Sequence, residues 1–315
     1  MAYRNVESLA KDLFNTKAVS DIGWSKKEKW RRTLGLAKDW QKQQQGMTVV
    51  KVEHTLTSLK KSLEGTRGKL EKVFGGDYLE FTKYDSKPEH LCILGKDGRV
   101  LGYRVRYDPS FVSQLSSSTS RLPPIPAHLT RRGEFEERHY AVWADYALRS
   151  VPFVSLDFRN DNKRREAATQ WIEANKDLLN AVNNAHRCIV PGEYSRVVSA
   201  GKRLGRELGI GPLFRSWFGA AIHDKMSGKF ASSLHRDFKD YGLSCLVPWG
   251  EYEGGDLVLV QLGMKVELRP GDAFLFRSCE IVHLIEEPKG SRGVVTLFSH
   301  ANTFTYIDRK RKREN

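Results

Sequence analysis

Of nine histidines in the chain, only His235 is followed two positions later by an aspartate, in His235-Arg236-Asp237. Residues i and i+2 of a strand point to the same face, so this imidazole and carboxylate can converge on one ion if the segment is extended. Such a pair alone is common by chance, and it needs a third ligand. His283 is the candidate, lying beyond several apolar runs that read as strands, where a later strand of the same fold would return to the site. Two imidazoles and one carboxylate on one face of an octahedral ion leave three positions open, which suits ferrous iron that must also take up reactants.

Downstream, Gly290-Ser291-Arg292-Gly293-Val294 offers a fixed cation. A keto acid such as 2-oxoglutarate would fill two open positions through its keto-acid end, and dioxygen the third. Its far carboxylate then needs a partner in a dry pocket, and the planar fork of an arginine matches a carboxylate in two parallel hydrogen bonds. Arg292 is assigned that task. His-Arg-Asp also opens the catalytic loop of protein kinases, but their Asn five residues after the Asp is here Gly242, and neither a glycine-rich loop nor an Asp-Phe-Gly follows the kinase pattern.

Elements must bring these residues together. After Ser233, short β-rich runs recur at Leu243–Val247, Leu257–Leu262, Lys265–Leu268, Ala273–Phe276, Val294–Phe298 and Thr303–Ile307. They are separated by turns such as Glu253-Gly254-Gly255-Asp256 and Arg269-Pro270-Gly271-Asp272. That spacing predicts a jelly roll, a double-stranded β-helix of cupin type spanning about residues 233–307, inside a domain of residues 127–308. Helices are expected before it, over Glu134–Arg149, over Lys163–His186 and from Pro191, which suits a first-turn position. The whole reads as α+β. Residues 1–126 read as a basic helical region with a β-hairpin, His90–Leu94 and Val100–Tyr107 around Gly95-Lys96-Asp97-Gly98. A linker closes it at Ser113–Pro126, where serines and prolines argue against a packed element. Basic residues crowd the helical stretch Trp24–Phe74, and residues 309–315 form a basic tail holding Arg309-Lys310-Arg311-Lys312-Arg313.

Composition narrows the partners. Lysine and arginine number 52 against 38 acidic residues, a formal net charge of +14, which favours a polyanion and nucleic acid first. The four cysteines are scattered without a Cys-x-x-Cys pair, which fits a reducing location and no disulfide framework. No apolar run approaches a membrane span, no secretory signature opens the chain, and no protein partner is legible. The terminal basic run resembles a nuclear-import or nucleic-acid-binding tail, so a nuclear location is expected.

The stretch Ser232–His300, with SSLHRDFKDYGLSC, WGEYEGGDLVLV, ELRPGDAFLFRS and IVHLIEEPKGSRGVVTLFSH, resembles the iron(II)- and 2-oxoglutarate-dependent oxygenases. It is most similar to the TET/JBP group that oxidises methyl groups on DNA bases, and to its fungal and protist members. The resemblance implies iron held by His235, Asp237 and His283, 2-oxoglutarate anchored by Arg292, and dioxygen as co-reactant. It also implies a flipped base received by Asp240, which would accept from the exocyclic amine, by Phe298, which would stack on it, and by His300 at its edge. A pocket for an extruded base needs an aromatic wall and a few polar groups, and Phe298 and His300 share a face as i and i+2. The implied substrate is methylated duplex DNA: 5-methylcytosine oxidised to hydroxymethyl, formyl and carboxyl forms, or N6-methyladenine demethylated. The family's upstream pocket residue, often an Asn, has Asn160, Asn162, Asn183 and Asn184 as alternatives. Two rival readings are a protein or peptide hydroxylase on the same fold, and a catalytically inactive DNA-binding module.

Overall fold

The structure, a computed structural model, describes residues 47–66, 68–87, 90–124, 136–144, 151–159, 161–227 and 232–314. The basic cluster near Trp24 and Trp30 lies outside these residues.

Eight strands build the centre: β7 (Gly219–Ser227), β8 (Ser232–His235), β9 (Ser244–Gly254), β10 (Leu257–Leu259), β11 (Met264–Val266), β12 (Asp272–Phe276), β13 (His283–Ile285) and β14 (Pro288–Phe298). They pair as β12-β9-β14-β7 in one sheet and β11-β10-β13-β8 in the other, all antiparallel. This is the double-stranded β-helix, as expected. Strands β1 (Thr48–Lys51), β3 (Leu91–Leu94), β4 (Val100–Arg106), β5 (Glu136–Trp143) and β6 (Phe153–Val154) extend the first sheet to nine. Strand β2 (Thr82–Tyr84) extends the second to five. The hairpin read around Gly95–Gly98 is β3–β4, with Gly98 at φ 74° in the left-handed conformation its turn requires.

Both faces of the larger sheet are covered, which is why β9 begins with six consecutive buried residues instead of alternating. Leu246, Phe274, Phe276 and Val294 point between the sheets, against Leu257, Leu259, Met264, Val266 and Ile285 of the smaller one. Their neighbours Cys245, Val247, Leu275 and Val295 point outward onto helices. The covering helices are α5 (Asn162–Ala174), α6 (Lys176–Ile189) and α7 (Pro191–Leu208). On α6, Leu178, Leu179, Val182, Ala185, His186 and Ile189 are buried, an apolar stripe at helical spacing. Each buried leucine, valine or isoleucine there contributes about 1.5–3 kcal/mol on leaving water.

The helical run expected over Lys163–His186 is thus two helices, broken at Asn175, whose side chain bonds Ser118 Oγ and the Trp171 carbonyl. Pro191 does open a helix, at N1 or N2. Three other expectations are corrected. The helix read over Glu134–Arg149 is strand β5 where it is described, because pairing along β7 overrides a charged, helix-compatible composition. The strand read at Thr303–Ile307 lies in helix α8 (Ala301–Glu314), which also carries the basic run, and buries Thr303, Phe304 and Tyr306. The linker read from Ser113 begins inside helix α3 (Pro109–Thr119), capped by Asp108, with Leu115, Ser118 and Thr119 buried. Ser118 and Thr119 face a packed interior while Ser113, Ser116 and Ser117 are exposed, and only the residues after Thr119 leave the helix. In the stretch Trp24–Phe74 the described part includes a strand, Thr48–Lys51, besides the helices α1 (Leu56–Ser62) and α2 (Leu70–Phe74). No helix among the described residues is long and apolar enough to cross a membrane.

Candidate metal centre and adjoining aromatic cluster

Strand β8 ends at His235, so Arg236 and Asp237 belong to the loop that follows, and the expected strand geometry stops one residue short. The carboxylate is aimed by tertiary bonds instead: the Asp237 amide donates to the Ser278 carbonyl at 3.0 Å, and the Asp240 amide to the Asp237 carbonyl at 2.8 Å. His283 opens β13 directly opposite His235, with ring centroids 4.3 Å apart. His235 Nε2 lies 4.0 Å from Asp237 Oδ1, and His283 Nε2 lies 3.9 Å from Asp237 Oδ2. Among the described residues these three form the one group whose ligand atoms all lie within 4.8 Å of one another, close enough to hold a metal ion.

The imidazoles are prepared for that task. His235 Nδ1 sits 2.7 Å from the Ser233 carbonyl, and His283 Nδ1 sits 2.9 Å from the Ile281 carbonyl. A carbonyl accepts only, so each Nδ1 carries the proton and each Nε2 keeps its lone pair for a cation. Burial, reinforced by the adjacent His235, lowers the His283 pKa to about 4 against the opposing pull of Asp237, so this ring is neutral at physiological pH as a ligand must be. His283 is buried while His235 and Asp237 stay about one-third exposed, which opens the centre on one side.

Alternation along β14 sends Arg292 to the face of Val294, between the sheets. Arg292 is 1% exposed; Nη1 donates to the Gly255 carbonyl at 2.7 Å, and the guanidinium lies 5.0 Å over the Tyr252 ring. Its other edge, Nε and Nη2, is buried without a partner. Those two nitrogens form the fork that grips a carboxylate, so the residues present fit a dicarboxylate cosubstrate. Burial lowers the Arg292 pKa. Gly255, at φ 67°, is required here, because a Cβ would stand 2.5 Å from Arg292 Nη1. Asp256 beside it is neutralised by Lys83 Nζ at 2.7 Å.

The three residues expected to receive a substrate group come together. Asp240 and His300 form an isolated β-bridge, flanked by Tyr241 N to Ser299 O and Ala301 N to Lys239 O. Phe298 and His300 rings lie 5.5 Å apart, and Trp143 stacks on both, at 6.5 Å and 5.4 Å with interplanar angles of 25°. His139 closes the group, 5.6 Å from Trp143. Trp143 and His139 were missed by sequence reasoning, since they stand i and i+4 in a stretch read as helix. The periodic signal of β5 was hidden because Tyr140, Ala141 and Val142 are buried on both faces. Burial brings His300 to a pKa of about 4, with the charges of Lys239 and His139 acting in the same direction. Burial, then the nearby charge of Asp237, pushes the Asp240 carboxyl well above the usual range, while hydrogen bonds from Ser244 and Ser278 oppose that shift. A separate cavity of about 580 Å³ is lined by Asp240, Arg236, Phe238, Glu193 and Glu280 among others, and by none of the three candidate ligands.

No family model and no curated protein matches the chain. Among solved structures, NgTET1 in complex with 5mC DNA matches at a TM-score of 0.54 and 15% identity, over 83% of this chain and 100% of that one. A 2OG-Fe(II) oxygenase family oxidoreductase from Burkholderia pseudomallei matches at 0.38 and 12% identity, over 81% and 96%. A Pseudomonas putida prolyl-4-hydroxylase matches at 0.37 and 15%, over 63% and 92%. The chain therefore shares the fold of NgTET1.

Proposed function

We propose that this protein is an iron(II)- and 2-oxoglutarate-dependent dioxygenase acting on a methylated base in DNA, 5-methylcytosine first. The observation that carries the reading is the convergence of His235, Asp237 and His283 on one point within the same β-helix whose Arg292 keeps a buried, unsatisfied guanidinium fork. His235 Nε2, His283 Nε2 and the Asp237 carboxylate would hold the ferrous ion, and Arg292 Nε and Nη2 the far carboxylate of 2-oxoglutarate. When bound, iron with 2-oxoglutarate and dioxygen supplies the oxidation of a C–H bond to C–OH, as 2-oxoglutarate becomes succinate and carbon dioxide.

The chain's own residues do the rest. The carbonyls of Ser233 and Ile281 fix both rings, so the ligand set is organised before any ion arrives. Trp143, Phe298 and His300 make an aromatic wall of the kind that accepts an extruded base, and His300, bridged through the backbone to Asp240, brings a polar group to it. A methyl group inside a stacked duplex cannot approach a metal held between two sheets, so base flipping is part of the proposal. The net charge of +14 supports phosphate binding without sequence readout, and NgTET1, which shares the fold, was solved in complex with 5mC DNA. A nuclear location fits that substrate and the basic run at Arg309–Arg313.

The test is incubation of the full chain with iron(II), 2-oxoglutarate, air and a 5-methylcytosine duplex. Succinate should form together with a base heavier by one oxygen. His235→Ala should abolish both and also remove the thermal stabilisation that added iron gives the unaltered protein. Succinate without any change to a methylated base would sink the substrate assignment, and undiminished turnover in His235→Ala would sink the metal site.

A further inference from the structure

Among the described residues the large apolar side chains that stand exposed are Val73, Leu79, Val151, Leu156 and Phe238, and Phe238 is the aromatic one, 51% exposed. It directly follows the candidate iron ligand Asp237. Its loop is rigid: Asp237 N is bonded to Ser278 O, Arg236 Nη1 to Cys279 O at 3.0 Å, and Ala301 N to Lys239 O at 2.8 Å. Arg236 and Lys239 flank the ring in sequence, and Lys239 Nζ lies 5.7 Å from its centroid. A tightly held loop that leaves about half of a benzyl ring exposed beside the Lys239 ammonium, one residue from the candidate iron ligand, suits a partner that is flat and anionic. Nucleobases on a phosphate backbone have that chemistry, since every base offers a π-face and every nucleotide a negative charge.

The geometry points to Phe238 as the side chain that stacks into the duplex next to the target, filling the space the extruded base leaves. This rests on the proposed action on duplex DNA. Proteins that kink or unstack a duplex commonly insert an apolar wedge between base steps, and a rigid mount is needed, because a mobile side chain would lose its own freedom on insertion. Phe238 is thereby a positioning residue: it holds the base out, while Phe298 and His300 receive it. Lys239 would hold the adjoining phosphate.

The experiment compares the full chain with Phe238→Ala and Phe238→Trp, loaded with iron(II) and 2-oxoglutarate. Duplexes carry 2-aminopurine beside 5-methylcytosine, and fluorescence is read without oxygen so that no turnover intervenes. The unaltered protein should raise 2-aminopurine emission as the neighbouring stack opens; Phe238→Ala should not, and Phe238→Trp should restore it. In air, Phe238→Ala should lower kcat/KM on duplex by roughly 10- to 100-fold, the size of a lost base–aromatic stack, with single-stranded oligonucleotide turnover within about threefold of normal. Iron binding, followed by titration, should be unchanged. Equal duplex turnover in Phe238→Ala overturns the inference, and so does an equal loss on both substrates. If the unaltered protein oxidises none of these oligonucleotides, the substrate reading itself falls, a result separate from either.

Discussion

At the scale of single residues, the strongest feature is a cation buried with half of its hydrogen-bonding edge unused. Arg292 gives Nη1 to Gly255 and stacks on Tyr252, while Nε and Nη2 wait in the interior. Leaving such donors unsatisfied costs about 1–3 kcal/mol or more, a cost that a bound carboxylate would lift. Lysine carries the same charge without the fork. Arg292→Lys should therefore raise the 2-oxoglutarate concentration for half-maximal turnover by roughly 10- to 100-fold, equivalent to one or two charge-assisted hydrogen bonds, while iron binding is retained. Titration of 2-oxoglutarate against iron-loaded protein decides this; an unshifted half-saturation point removes Arg292 from the anchor role.

Among the elements, α6 carries a titratable group into the core. His186 is buried, stacked 4.7 Å over Trp217, with Nδ1 2.9 Å from Ser216 Oγ. Burial, helped by the charge of Arg277, lowers its pKa from 6.5 to about 3. Above about 6.5 the ring is neutral whether the chain is folded or not, and the fold keeps its full stability. As pH falls, the unfolded chain takes up a proton that the folded chain refuses, so stability is lost progressively down to about pH 3. Between pH 7 and pH 5 this one residue should cost about 2 kcal/mol. His186→Phe, able to stack on Trp217 but not to titrate, should remove that part of the dependence in urea unfolding at the two pH values. His283 and His300 shift in the same direction and would leave a remainder in metal-free protein. An unaltered pH response in His186→Phe would place the acid sensitivity elsewhere.

For the whole molecule, charge governs the encounter with substrate. A surplus of 14 positive charges attracts a phosphate backbone over a range set by ionic strength. Duplex affinity should fall linearly in log K against log salt, by about 0.9 for each phosphate contacted, with methylated and unmethylated duplexes bound almost alike. Selectivity would then enter at the aromatic wall around Trp143, after capture. Fluorescence anisotropy across a salt series checks this, and a flat response would remove phosphate contacts from the binding surface.

Residue identities and spacing alone singled out His235, Asp237 and His283, which the fold brings together, and the jelly-roll class, because a metal centre demands particular atoms and strands with turns leave a local pattern. Strands β10 and β11 of the smaller sheet and the β3–β4 hairpin were legible for the same reason. Tertiary structure decided what depended on distant partners. Strand β5 exists through its pairing with β7, and so Trp143 and His139 reach the site only once the sheet is assembled. Asp237 is aimed by Ser278 and not by strand alternation, and Thr303–Ile307 turned out helical because α8 buries Phe304 beside α7 and β5. Burial of the Arg292 fork and exposure of the Phe238 ring are properties of the packed molecule, since whether a side chain meets water depends on neighbours that no local window of sequence contains.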